Sequence, residues 1–329
     1  MSEGMRQGNG TEDYRPEVSA VIPNWNRKDD LREALLAIKA QTYRVKEIIV
    51  IDNNSSDGAP EMIKEEFPEV VLIRSPHNIF LHSINIGAKT ASGDIVLHQD
   101  NDGILAPDAV ERMVRVFASD PRIAVVHCKN LYYDSGEVFD PWRWFTASEH
   151  ASEDIFDVPT FHGNGAMMRK DVLEEIGYLE PDIHLFERSI TAKAVDHGYR
   201  VVYCPAASIR HKMSKEVRNP GHRLYVNMTG GWWFLARFYP AGKALKKAFF
   251  FLIFFFLYSI KRRTFKDFFR GIFDTLLGLP AILRRREVVS AETVAFLESK
   301  PYETSIIMYG SWDTLKGWFK KRFGSKCPE

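Results

Sequence analysis

The sequence predicts an α/β fold, with a mostly parallel central sheet flanked by helices. Three observations predict it. Short apolar runs alternate with segments of helical periodicity between residues 18 and 127. Runs such as Glu47–Ile51 (EIIVI) are β-branched throughout, as expected of strands covered on both faces. Polar, acid-containing turns directly follow the runs, at the strand ends where open α/β sheets hold ligands.

The elements follow in order. Val18–Ile22 is the first strand, and Pro23-Asn24-Trp25-Asn26 is the loop after it. A helix is expected from about Asp30: Asp30 and Glu33 stand at capping-box spacing, with Asp in place of Ser or Thr, and Leu31, Leu35 and Ile38 recur at helical intervals. Glu47–Ile51 is the second strand and ends in the polar turn Asp52-Asn53-Asn54-Ser55-Ser56-Asp57-Gly58. Glu69–Ile73 is the third, and Asp94–His98 is the fourth, running into Gln99-Asp100-Asn101-Asp102-Gly103. Pro107 starts a helix whose apolar face is Val110, Met113, Val114 and Phe117. Ile123–His127 is the fifth strand, and no internal repeat is visible.

A chain of 329 residues, at roughly 100–200 per domain, is one large domain with extensions or two domains. Its 45% hydrophobic and 26% charged composition excludes disordered, collagen-like and disulfide-scaffold classes. The net charge of +1 conceals a division. From Tyr239 onward there are 17 Lys+Arg against 8 Asp+Glu, a net of +9, together with 13 of the 23 Phe; residues 1–238 carry −8. Such asymmetry points to a membrane or polyanion contact. Cys128, Cys204 and Cys327 are odd in number, far apart and without a C-x-x-C, which argues against zinc and disulfides and fits a reducing compartment. Residues 1–16 have no apolar core of a secretory signal and read as a disordered tail.

The basic region reads as amphipathic helices. The apolar run Ala248–Ile260 has 13 residues, short of the roughly 20 a spanning helix needs. Lys243, Lys246 and Lys247 precede it, and Lys261, Arg262 and Arg263 follow. The next stripe is Phe265, Phe268, Phe269, Ile272, Phe273, Leu276 and Leu277, flanked by Lys266 and Arg270 and closed by Arg284–Arg286. A last segment repeats the pattern with Trp312, Leu315, Trp318, Phe319 and Phe323 among lysines. Aromatic stripes ringed by cations favour an anionic membrane surface. Packing on the preceding domain, or on a second copy as a homo-dimer, is the other use of such faces. The Phe residues lie in helix stripes and are not spaced as base-stacking platforms, so nucleic acid is not expected.

Asp100 and Asp102 place two carboxylates two residues apart, able to approach one hard cation shared with substrate phosphates. An isolated pair of this kind is also a common solvated turn. The surrounding stretches narrow the choice: VSAVIPNWNRKDDL, QTYRVKEIIVIDNNSSDG, HNIFLHSINIGAKTASGDIVLHQDND, FHGNGAMMRKDVLEEIGYLE and HGYRVVYCPAASIRH. In this order, from Val18 to about His211, they resemble glycosyltransferase family 2, whose fold is GT-A, and they look bacterial rhamnosyltransferase-like.

The resemblance implies roles. Pro23, Trp25 and Asn26 match the first nucleotide-binding loop; Asp52 matches the acid that bonds the pyrimidine base; Asn54 shares that turn, and Asn85 matches the asparagine of an N-x-G segment near the nucleotide. Asp100 and Asp102 match the D-x-D that binds a divalent metal (Mn²⁺ or Mg²⁺) and the ribose-diphosphate, with His211 able to complete the metal site. Counting back from Gly198, the family's second acid falls on Glu187, the expected general base; its two companion acids fall on Phe186 and Ser189. Phe80 and Gln99 also replace usual family residues. His162, Gly163 and Asn164 form an expected acceptor-side loop, whose glycine allows close backbone approach.

The implied activity is inverting transfer of one sugar from a nucleotide-sugar, dTDP-rhamnose or a UDP-sugar, to a lipid-linked or surface-polysaccharide glycan. Residues 17–238 would be the nucleotide-sugar-binding catalytic domain and 239–329 the basic, Phe-rich helical region. The expected location is cytoplasmic, peripheral on the inner face of the cell membrane, held there by residues from about 240. The alternative is a GT-A-fold binding or scaffold protein without activity, favoured by the lost acids at Phe186 and Ser189. A nucleotidyltransferase would normally carry glycines where Pro23–Asn26 stands.

Overall fold

The computed structural model describes residues 14–140, 145–180, 182–183, 186–212 and 220–300. β1 (Val18–Asn24), α1 (Lys28–Lys39), β2 (Glu47–Asp52), α2 (Ala59–Glu66), β3 (Val71–Arg74), α3 (His82–Thr90) and β4 (Ile95–His98) form the expected alternation. All their strand pairings are parallel, in the order β3-β2-β1-β4. The chain winds outward from β1 to β3 and then returns to the other side of β1. That reversal is a topological switch point, and its crevice lies beyond the ends of β1 and β4.

β5 (Gly103–Leu105), α4 (Ala109–Ser119), β6 (Ile123–Tyr132), α5 (Ala147–Ala151), β7 (Phe156–Asp157), β8 (Ala166–Arg169), α6 (Lys170–Glu175), α7 (Phe186–Asp196) and β9 (Arg200–His211) complete the sheet. β8 lies antiparallel between β4 and β6, β9 runs parallel to β6, and β5 pairs antiparallel with β9. The partner of Cys128 is Cys204, but the partner of the next residue, Lys129, is Ser208. Residues 205–207 are therefore extra on β9, and Pro205, which cannot donate a ladder hydrogen bond, sits in this bulge. Cys128 and Cys204 are buried and free, and burial pushes both thiols up, so they act as packing residues.

Strand alternation divides the core in two. Val18, Ala20, Ile22, Ile48 and Val50 face α1 and α4, while Val21, Ile49 and Ile51 face α3 and the α7 side. The expected apolar face of α4 is buried as read: Val110, Met113, Val114 and Phe117. The expected capping box on α1 is corrected. Its N-cap is Arg27, which makes no side-chain cap. Asp57, from the turn after β2, reaches across to accept the Lys28 N–H at 2.7 Å. Asp30 pairs instead with Arg27 and with Lys212.

α8 (Pro220–Phe238), α9 (Ala241–Arg262), α10 (Phe265–Arg284) and α11 (Ala291–Leu297) follow. Phe251, Phe254 and Phe255 of α9 join the core on the α7 side. The α10 stripe divides. Phe268 is buried, whereas Phe269, Phe273, Leu276 and Leu277 are 60–64% exposed. A buried ionic network ties these helices to the sheet domain: Arg237 reaches Glu180 at 2.8 Å, and Lys193 of α7 lies 3.6 Å from Glu180; at the surface Arg285 adds a bond to Asp182 at 2.8 Å. Among the described residues, no helix is long and apolar enough to cross a membrane. The expected last stripe around Trp312–Phe323, and most of the expected N-terminal tail, lie outside the described residues.

Candidate active site

Three turns converge at the switch point. The expected Pro23–Asn26 loop is corrected: Pro23, half-buried, and Asn24, buried, are the last residues of β1, and only Trp25, 53% exposed, and Asn26, exposed with φ 50°, follow it. Asp52, the last residue of β2, is fully buried, and Asn54 in the turn beyond it is exposed with φ 64°. Both positive-φ positions are asparagines, a residue that tolerates the left-handed region.

Asn24 joins the turns. Its Nδ2 donates to Asp52 Oδ1 at 3.1 Å and to Ser55 Oγ at 3.2 Å, and its Oδ1 accepts from Asn101 Nδ2 at 2.8 Å. Asn26 adds two bonds: its N–H donates to Ser55 Oγ at 2.9 Å, and its Oδ1 accepts the Ser56 N–H at 2.7 Å. Asp52 Oδ2 accepts the Ser55 N–H at 3.0 Å, with Arg74 4.0 Å away. Sequence reasoning placed Asn24 in the loop but assigned it no role. Its only signal was a polar residue at the end of an apolar strand.

Asn85 lies elsewhere. Its amide bonds both backbone groups of Leu179 at 3.0 Å, clamping α3 to the segment after α6.

The third turn follows β4. One ligand atom each from Asp100, Asp102 and His211 lie within 4.8 Å of one another. Strand pairing explains how residues so distant in sequence meet. Gly103 of β5 is opposite His211 of β9, and the Lys212 N–H donates to Asp102 O at 3.0 Å. His211 Nε2 is 3.0 Å from Asp102 Oδ1, and Arg27 Nη1 donates to Asp102 Oδ2 at 2.8 Å. A buried carboxylate that needs two cationic or donor partners, beside a second carboxylate and an imidazole, fits a divalent metal. Arg27 and Lys212 had no assigned role from the sequence. Arg27 lies inside a matched stretch without being singled out, Lys212 lies just beyond the last one, and only the fold brings them here.

His162-Gly163-Asn164 borders the same turn. Asn164 Oδ1 accepts the Asp100 N–H at 3.1 Å, Asn130 Nδ2 donates to Asn164 O at 3.1 Å, and Gly163 O meets His98 Nδ1 at 2.8 Å. Burial lowers the His162 pKa to about 4, so its ring is neutral at ordinary pH. Gly163 is required by close approach. A Cβ there would stand 2.6 Å from Phe186 Cζ and 3.3 Å from Glu187 Oε1.

Glu187 lies in the first turn of α7. Burial pushes its carboxyl up to about 7; the negative charge of Asp100 adds to this, and the N–H groups of Glu187 and Gly163 together with Arg188 oppose it. Phe186, where the family's companion acid is missing, is buried edge-on to His98 with ring centroids 5.7 Å apart. Ser189 is fully buried. Both companion positions face packed interior, where an unpaired carboxylate would be costly.

The family model of glycosyl transferase family 2 matches residues 19–177. This stretch includes the three turns and the His162–Asn164 loop, and it ends before Glu187 and His211. An uncharacterized glycosyltransferase of Bacillus subtilis, YwdF, is 28% identical over 205 residues, covering 60% of this chain and 75% of that protein. The O-antigen chain rhamnosyltransferase RfbN of Salmonella typhimurium is 28% identical over 230 residues, covering 64% and 70%. Among solved structures, the mannosyltransferase PcManGT from Pyrobaculum calidifontis, in complex with GDP-Man and Mn²⁺, shares the fold with TM-score 0.55 at 20% identity, over 95% of this chain and 81% of that one. Sheet order, converging turns and matched stretch agree: residues 19–177 carry a glycosyl transferase family 2 domain, and the protein is a glycosyltransferase of the GT-A fold.

Proposed function

We propose that the protein transfers a single sugar, with inversion, from a nucleotide-sugar to a hydroxyl of a lipid-linked or surface-polysaccharide glycan. dTDP-rhamnose and UDP-sugars are the favoured donors; the O-antigen rhamnosyltransferase among its relatives supports the first. The observation that carries the proposal is that two unlike acidic groups border one loop, Asn164 bonding Asp100 and Gly163 lying against Glu187. The Asp100–Asp102–His211 cluster suits a cation, while Glu187, close enough to feel the charge of Asp100, carries a carboxyl held near neutrality.

Glu187 takes the proton of the acceptor hydroxyl as that oxygen bonds the anomeric carbon. The bond from that carbon to the diphosphate oxygen breaks, and the nucleoside diphosphate leaves with the electron pair. Asp100, Asp102 and His211 would hold Mn²⁺ or Mg²⁺, which supplies positive charge to the departing diphosphate. Asp52, with the Pro23–Asn26 loop and Asn54, would cradle the nucleoside, Trp25 offering an exposed ring. Asn85 would act at one remove, by fixing α3. His162, Gly163 and Asn164 would border the acceptor.

Contact with a membrane surface is part of the same proposal. The exposed Phe269, Phe273, Leu276 and Leu277, with Lys266 and Arg270 on the same helix, support it. The decisive experiment is transfer from radiolabelled nucleotide-sugars with Mn²⁺ or Mg²⁺. Wild-type activity lost in both Asp102→Ala and Glu187→Ala supports the assigned roles. Activity retained in both variants would remove them.

A further inference from the structure

Arg27 stands where a bound cation would compete with it. Asp102 is almost fully buried, and both of its carboxylate oxygens are engaged: Oδ1 with His211 Nε2 at 3.0 Å and Oδ2 with Arg27 Nη1 at 2.8 Å. A metal ion held by Asp102 brings a second positive charge to a carboxylate that Arg27 already neutralises. His211 belongs to the same candidate ligand set, so Arg27 is the partner whose charge opposes that of an incoming cation. Two positive charges cannot share one carboxylate oxygen without mutual repulsion.

Arg27 has somewhere to go. It is the residue immediately before the first helical position of α1, a helix of 12 residues, where backbone N–H groups and the helix dipole favour anions. Its side chain retains partial solvent access, and Asp30, 3.4 Å from the same nitrogen, remains as a partial counter-charge. Lys212 already occupies Asp30 at 3.0 Å and Glu33 at 2.7 Å, so Asp30 alone does not fully satisfy a displaced guanidinium. A planar guanidinium matches phosphate oxygens in two-pronged geometry.

We propose that Arg27 is an exchange residue: without metal it neutralises Asp102, and on metal entry it passes to the diphosphate of the donor. This deepens the function proposed above and rests on a nucleoside-diphosphate donor. Its consequence is ordered loading. Metal bound without nucleotide has to displace Arg27 without compensation; metal bound with nucleotide gives Arg27 a new anion.

The test is calorimetric and does not depend on turnover. MnCl₂ is titrated into wild type, Arg27→Gln and Arg27→Lys; UDP, dTDP and GDP are then titrated at saturating Mn²⁺. Arg27→Gln should bind Mn²⁺ alone about tenfold more tightly, and should bind the nucleotide that wild type accepts about tenfold more weakly, as expected for loss of one charge-assisted contact. Arg27→Lys should fall between. Opposite signs are the signature, because a merely damaged site would weaken both. Unchanged or weaker Mn²⁺ binding in Arg27→Gln overturns the inference, even when wild type binds metal and nucleotide normally. Wild type failing to bind Mn²⁺, or binding it equally after Asp102→Asn, would overturn the metal assignment and the inference together.

Discussion

Replacing Glu187 by Gln should make the protein more stable and less active. Folding raises this carboxyl from 4.5 to about 7, chiefly by burial. At about 1.4 kcal/mol per unit, the ionised form costs the native state at most about 3 kcal/mol. Glu187 keeps some solvent access, so about 1–2 kcal/mol is the working figure after solvent screening. The sign follows from proton linkage. The native state holds its proton to higher pH than the unfolded chain, so stability falls as pH rises from about 4.5 to about 7. Gln imitates the protonated acid and avoids this loss. Urea denaturation should show wild type and Glu187→Gln nearly equal at pH 4.5, with the variant ahead by about 1–2 kcal/mol at pH 8, or roughly 2–5 °C in a thermal melt. Transfer should meanwhile fall by about 10²–10⁴-fold. Wild-type kcat/KM, measured on the free enzyme, should climb with unit slope below pH 7 and level above it. A variant no more stable than wild type at pH 8 would refute the desolvated carboxyl. A variant within a few-fold of wild-type activity would refute the base.

Four further outcomes are expected. Asp102→Ala should abolish measurable Mn²⁺ binding by calorimetry, while His211→Ala should weaken it about 10–100-fold, as for loss of one ligand-level contact. Gly163→Ala should cost about 1–3 kcal/mol in urea denaturation and at least tenfold in kcat, because the new methyl meets Phe186 and Glu187. Arg237→Met should destabilise by about 3 kcal/mol, leaving the buried Glu180 short of its nearest cation. The double change Phe269→Asp with Leu276→Asp should abolish sedimentation with vesicles of anionic lipid and leave the melting temperature within about 2 °C, since both side chains are exposed.

The β–α half of the fold was legible because its inner strands β1, β2 and β4 are buried along almost their whole length and its helices bury one stripe each. Val18–Asn24, Glu47–Asp52 and Ile123–Tyr132 differ from expectation only in length. The antiparallel insertion of β8 was not legible. Ala166–Arg169 is four residues long, and neither its direction nor its neighbours can be read from a run that short. The acids Asp52, Asp100 and Asp102 were legible because they follow strands. Asn24 and Arg27 were not, since each acts on side chains distant in sequence that only the sheet order brings near. The α1 cap was misread for the same reason: Asp30 has the right spacing, but the helix already starts at Lys28, whose N–H is taken by Asp57 from the turn after β2.

The bulge in β9 gives the metal-side end of the site an unusual dependence on counting. The pairing of Cys128 with Cys204 is fixed by the core, and the pairing of Gly103 with His211 by the edge strand; residues 205–207 are the spacer between them. No side chain in that spacer need touch a ligand for it to govern ligation. Deleting one of its residues would set two demands against each other: either the bulge shrinks, or Lys212 slips into the place opposite Gly103 and Ile209 turns off its core face. The chain's chemistry at that corner is thus specified by a length, and a survey of substitutions alone would pass over it.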